Sequence, residues 1–134
     1  MKKKRFDKTL YEQNDKIAKD AILKYLGSGW KENPKKRDPD IISDDGLKFV
    51  EVEIKRVWKG AAFPYGDIQL PYRKGKWKDL DIVFYVLNNE QTHAIKIPRT
   101  SLKDKYLREV PNKYVYEGEY FYGIPMDECE IIEL

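Results

Sequence analysis

A chain of 134 residues and 15.9 kDa has room for one domain with a sizeable core, and 41% hydrophobic against 37% charged residues separates it from disordered chains. Its 26 basic and 23 acidic residues leave a net charge of only +3, so contact with a polyanion must come from local blocks: Lys2-Lys3-Lys4-Arg5, Lys35-Lys36-Arg37 and Arg73-Lys74-Gly75-Lys76-Trp77-Lys78. A single cysteine, Cys129, and a single histidine, His93, exclude an intramolecular disulfide, a cysteine-based zinc site and every motif built on paired histidines.

A metal, if bound, must then be held by carboxylates, carbonyls and water, a donor set that favours Mg²⁺ or Mn²⁺ over Zn²⁺. No stretch approaches membrane-spanning length. The expected setting is soluble and cytoplasmic, with no membrane partner.

Taken in order, residues 9–26 are expected to be helical. Leu10, Ile17, Ala18, Ala21, Ile22, Tyr25 and Leu26 form one apolar stripe at helical spacing. Thr9 and Glu12 make a capping box, and Gly27-Ser28-Gly29 stops the helix. The outer face pairs Glu12 with Lys16, Asp15 with Lys19 and Asp20 with Lys24. Residues 38–56 read as a β-hairpin turning at Asp44-Asp45-Gly46. Residues 58–78 hold Gly60, Pro64, Gly66, Pro71 and Gly75, too many breakers for a long element, with Ile68-Gln69-Leu70 as a short strand.

The apolar, β-rich run Leu80–Leu87 reads as a central strand. Asn88-Asn89 turns it into a second strand, Thr92–Ile97, ended by Pro98. A short helix is expected from about Ser101 to Glu109, then strands or extended edges at Tyr114–Tyr122 and Cys129–Ile132. The order predicts a single α+β domain over residues 1–134 with one mixed β-sheet, an N-terminal helix and a short later helix.

The hairpin concentrates charge. Alternation sends Val50, Val52 and Ile54 to one face and Glu51, Glu53 and Lys55 to the other. With Asp45-Gly46 as a two-residue turn, residue 42 pairs with 49, 40 with 51 and 38 with 53. Asp38, Asp40, Glu51, Glu53 and Lys55 then crowd one side of the ribbon, where paired Cβ atoms lie about 4.5–5.5 Å apart. A one-residue slip would disperse them. The plain alternative is a solvated outer strand face whose repulsion Lys48 and Arg56 dilute.

Pro39-Asp40 followed by Glu53-Ile54-Lys55 resembles the signature of the PD-(D/E)XK nuclease superfamily, and the preceding helix and the spacing fit it over about residues 9–56. The resemblance implies a restriction-endonuclease-like core. It makes Asp40 and Glu53 metal ligands, helped by the Ile54 carbonyl, and it gives Lys55 the placing or activation of the attacking water. Some members add an acid from the first helix, for which Glu12 and Asp15 are candidates. Glu51 is either an acid behind the ligands or plain surface, and Asp38 stands in for Asp40 if the turn differs.

One departure is the Gly/Pro-broken segment 58–78 where the superfamily usually carries a helix. Within it Gln69, Arg73, Lys74 and Lys76 are candidate phosphate contacts, with Tyr72 or Trp77 stacking on a base or sugar. The expected activity is a Mg²⁺- or Mn²⁺-dependent endodeoxyribonuclease, with DNA as partner and a homodimer for cutting two strands. The rival expectations are a non-cleaving nucleic-acid-binding domain of the same fold, resting on the basic and aromatic stretch 72–78, and a protein-interaction domain with a charged surface. His93 is read as a satisfied strand histidine and Cys129 as core.

Overall fold

The computed structural model describes residues 8–110 and 119–134, with side chains from 16 to 109 and from 120 onward. Helix α1 (Lys8–Leu26) is followed by strands β1 (Trp30–Glu32), β2 (Ile41–Ser43), β3 (Phe49–Ile54), β4 (Asp67–Pro71), β5 (Ile82–Leu87), β6 (His93–Pro98), β7 (Leu107–Val110), β8 (Glu119–Pro125) and β9 (Glu130–Glu133). A 3-10 helix, Tyr72–Trp77, joins β4 to β5. The class is α+β, as the element order predicted.

The strands form two sheets rather than the one expected. The larger has six strands in the order β1-β2-β3-β5-β6-β9, and the smaller has three in the order β4-β8-β7. The larger sheet is mixed: β3 and β5 run parallel, and its other neighbours are antiparallel. Parallel neighbours need a long crossover. Here the crossover consists of β4 and the 3-10 helix, so the breaker-rich segment supplies an edge strand of the second sheet.

Both faces of the large sheet are therefore covered. On one, Ala18 and Ile22 of α1 pack against Ile41, Val50, Val52 and Tyr85. They lie one helical turn apart, which is why the stripe buries at these two positions while Ile17 and Tyr25, at its margins, stay exposed. On the other face Phe84, Val86, Ile95 and Ile97 meet Ile68, Leu70, Tyr122 and Ile124 of the small sheet, with Trp58 sealing one end.

The helix expected over 101–109 does not form. Single 3-10 turns at Arg99–Ser101 and Asp104–Tyr106 lead into β7, whose Leu107 pairs with Tyr122. Leu102 and Tyr106 mimic a helical repeat, but the open edge of β8 offers backbone partners, and this tertiary pairing overrides a weak local preference. The short strand β1 had no periodic signal. Residues 114–118 of the expected strand Tyr114–Tyr122 lie outside the described residues.

The hairpin keeps its expected register, with Ile42 opposite Phe49 and Ile41 opposite Val50, but reaches it by a different turn. Gly46 donates its N–H to the Ser43 carbonyl at 2.9 Å, and Gly46 alone adopts a left-handed φ, +77°. A two-residue turn of the expected kind needs positive φ at Asp45 as well. Asp45 instead accepts hydrogen bonds from Ser43 Oγ at 2.6 Å and the Leu47 N–H at 3.0 Å. The four-residue loop preserves the same pairing.

Asn88 ties the far end of this sheet to the crossover. It is fully buried; its Nδ2 donates to the Gly60 carbonyl and Thr92 Oγ1, both at 2.9 Å, and its Oδ1 accepts the N–H groups of Thr92 and His93. Asn88→Ala strands these groups and is expected to cost about 2–3 kcal/mol, read as a lowered urea midpoint with unchanged slope. A loss below about 0.5 kcal/mol would mean that water replaces the side chain.

Candidate active site

Strand β3 places the acids. Val50 and Val52 face α1, while Glu51 and Glu53 take the opposite face, in register with Phe84 and Val86 of β5. Lys55 lies one residue past the strand, and its N–H continues the ladder by donating to the Leu87 carbonyl at 2.9 Å. Glu53 and Lys55 thus share a side of the extended chain.

This side is roofed. The 3-10 helix has three residues per turn, so Lys74 and Trp77 share a row; Trp77 packs on the core and Lys74 forms an ion pair with Glu51 Oε2. Glu51 is only 5% exposed. The reading of these charges as a solvated outer face is thereby excluded, and so is Glu51 as plain surface.

Asp40 and Glu51 are interlocked. Past Ile41 the chain leaves the ladder, so the Val52 N–H loses its strand partner; Asp40 Oδ2 accepts it at 3.0 Å. Glu51 Oε1 in turn accepts the Asp40 N–H at 3.0 Å. Lys19 of α1 stands 3.6 Å from Asp40 Oδ1 and 3.5 Å from Glu32. Burial first, then hydrogen bonding and repulsion from Glu51, push the Asp40 carboxyl up to about 7 despite Val52 and Lys19.

Glu53 differs. Its carboxylate makes no hydrogen bond or ion pair among the described residues. Burial raises its pKa, Asp40 adds to the rise, and Lys74, Arg73 and Lys55 pull it back. It lines a pocket of about 140 Å³ together with Ile54, Lys55, Gln69, Pro71, Val86 and Phe121. An adjoining hollow of about 250 Å³ shares Lys55 and Gln69 and adds Val57, Tyr65 and Asp67.

Of the residues singled out above, Glu53, Ile54, Lys55 and Gln69 meet in the pocket. Asp40 stands behind Glu53 and acts on it by charge, as Arg73 does from the 3-10 helix. Lys74 enters as the partner of Glu51, while Lys76, in the next row of the 3-10 helix, is exposed with its ammonium over the Trp77 ring. Asp38 sits in a turn, its N–H on the Lys35 carbonyl, and is no strand partner of Glu53. The side chains of Glu12 and Asp15 lie outside the described residues. His93, on β6, meets Thr92 Oγ1 at 2.9 Å through Nδ1. Burial lifts the Cys129 thiol to about 11, which leaves it a poor nucleophile.

Lys19 was missed as a site residue because its helical spacing from Asp15 already explained it. Phe121 carried no local signal, since only the β4–β8 pairing brings it near. Among the described residues no three acidic, histidine or cysteine side chains form a metal-ligating group, and no helix is long and apolar enough to cross a membrane. No protein-family model matches the chain, and no curated protein sequence matches it significantly.

Proposed function

We propose that this domain is a metal-dependent nuclease with a restriction-endonuclease-like core, acting on DNA as an endodeoxyribonuclease, with Asp40, Glu53 and Lys55 as its working groups. One observation carries the reading: a half-buried carboxylate with no direct partner among the described residues, Glu53, shares a pocket with Lys55. Burying a carboxylate that has no hydrogen bond or ion pair of its own is costly, even with cations at longer range. Such a group is retained where a cation or a substrate completes it.

The donor set fits Mg²⁺ or Mn²⁺. Both take oxygen ligands, and Mg²⁺ usually needs only one or two carboxylates with waters completing the shell, so two acids and the Ile54 carbonyl suffice without a third acidic side chain. Asp40 keeps one oxygen on the Val52 N–H, and its other oxygen, now beside Lys19, is the one a cation would contest. When bound, the ion would polarise the phosphoryl oxygen and lower the pKa of a coordinated water.

The chain's own groups supply the rest. Lys55 orients the attacking water and stabilises charge developing on the scissile phosphate. Gln69 donates an amide N–H to a phosphate oxygen across the pocket. Arg73 adds positive charge at longer range. Pro71, Val86 and Phe121 form an apolar wall that limits water and strengthens these contacts. Cutting both strands of a duplex from one such pocket calls for a homodimer, and a cytoplasmic setting completes the proposal.

The test is cleavage of linear, nicked and branched DNA with Mg²⁺ or Mn²⁺, alongside Asp40→Ala and Lys55→Ala. Each variant is expected to lose about 10²–10³-fold in rate. Undiminished cleavage by both would end the mechanism. One observation favours the rival reading of a non-cleaving nucleic-acid-binding domain: Asp40 is already engaged by Val52, Lys19 and Glu51. Metal-independent binding with no cleavage of any of these substrates would select it.

A further inference from the structure

The 3-10 helix has a second side. Its period of three aligns Tyr72, Gly75 and Lys78 in one row and Arg73 with Lys76 in the next, and these five residues with Tyr122 line a hollow of about 240 Å³. No acid lines it. Arg73, Lys76 and Lys78 are exposed and have no ion-pair partner among the described residues. Lys76 is held in place instead, 4.4 Å above the Trp77 ring.

The hollow also ends on a tyrosine hydroxyl that solvent reaches. Tyr122 is 1% exposed and packs in the main core, yet its hydroxyl makes no hydrogen bond among the described residues. A Cβ on Gly75 would stand 2.7 Å from that hydroxyl, so glycine here keeps the approach to Tyr122 Oη open. Tyr72 leans on Tyr122 with ring centroids 5.9 Å apart, and at 55% exposure it leaves a ring surface facing solvent.

We infer that this hollow is a phosphate site for a nucleic-acid strand: Arg73, Lys76 and Lys78 surround the phosphate, the Tyr122 hydroxyl donates to it, and Tyr72 stacks on the adjoining base or sugar. Three unpaired cations without an acid select a dianion or a phosphodiester over a neutral ligand. The exposed aromatic ring beside them selects a polynucleotide over a free phosphate. The inference rests on the proposed function for the identity of the polymer. It adds a contact beyond the lining of the cleavage pocket, on the two rows of the helix beside the one that Lys74 pins to Glu51, with Arg73 between the two sites.

The experiment measures binding of the full chain to a fluorescein-labelled single-stranded DNA, without divalent metal, over a range of KCl concentrations. Arg73→Gln/Lys76→Gln/Lys78→Gln is expected to weaken binding about 10–100-fold at low salt. It should also reduce the log–log salt slope by about 2, the release expected from up to three phosphate contacts. Tyr122→Phe, which keeps the ring, is expected to weaken binding a few-fold without changing the slope.

Unchanged affinity and slope in the triple variant would overturn the site. So would displacement of the DNA by polyglutamate as effectively as by unlabelled DNA, or by inorganic phosphate at equal phosphate concentration. Absence of cleavage by the wild-type chain, with the triple variant still defective in binding, would remove the nuclease reading and leave this site standing.

Discussion

Lys74→Met is expected to cost about 3–5 kcal/mol of folding stability at neutral pH, because it leaves Glu51 ionised and unpaired behind the 3-10 helix. The ion pair itself need not be strongly favourable. Two charges taken out of water lose hydration that their attraction only partly offsets, and the large penalty arises when one is left alone. One corollary separates this account from a simple loss of packing. Glu51→Gln in the Lys74→Met background removes the stranded charge while keeping an oxygen for the Asp40 N–H, so the double variant should recover most of the loss. Urea unfolding of wild type, Lys74→Met, Glu51→Gln and the double variant is the measurement. A double variant as unstable as Lys74→Met would mean that Lys74 acts through its ammonium over the Trp77 ring rather than through Glu51.

The second large effect is on pH dependence. Asp40 is pushed up to about 7 from an ordinary 3.8 by burial and by Glu51. The folded protein therefore holds a proton that the unfolded chain releases as pH rises between these values. Stability from this group is complete below about pH 4 and is lost as pH rises to about 7, by up to about 4 kcal/mol at ~1.4 kcal/mol per pH unit. That trend runs opposite to acid denaturation of ion-paired carboxylates. Asp40→Asn retains an acceptor for the Val52 N–H and stays neutral, so its stability should be flatter over this range and should exceed wild type at pH 8. Mn²⁺ should reverse the wild-type trend, raising the melting temperature more at pH 8 than at pH 5, since binding below pH 7 must displace a proton. An apo wild type whose stability rises from pH 5 to 8 in parallel with Asp40→Asn would refute the protonated Asp40.

What was legible beforehand was local. The α1 stripe, the apolar run that became β5, the Asn88 turn and the alternation of β3 each follow from patterns within about twenty residues. The hairpin register was legible too, although the turn was not of the kind expected. Pairing is set by which residues must be buried, and Val50 and Val52 can reach α1 in only one register. The failures were long-range. Residues 101–109 look helical until the edge of β8 is present to pair with β7; within 58–78 the short strand Ile68–Leu70 was legible, but its place in a second sheet beside β8 was not.

The candidate site divides along the same line. Which acids and which lysine share a face of β3 was determined by sequence alone, because a strand's period of two depends only on backbone geometry. Whether that face meets water or a roof was decided by tertiary structure. The parallel β3–β5 pairing forces a crossover, and the crossover lays Gln69 and Lys74 over the acids. Burial under that roof separates the roles of chemically similar carboxylates: Glu51 paired, Asp40 holding its proton up to about 7, Glu53 unpartnered in the pocket. Charge state depends on solvent exclusion by distant segments, which no local pattern encodes.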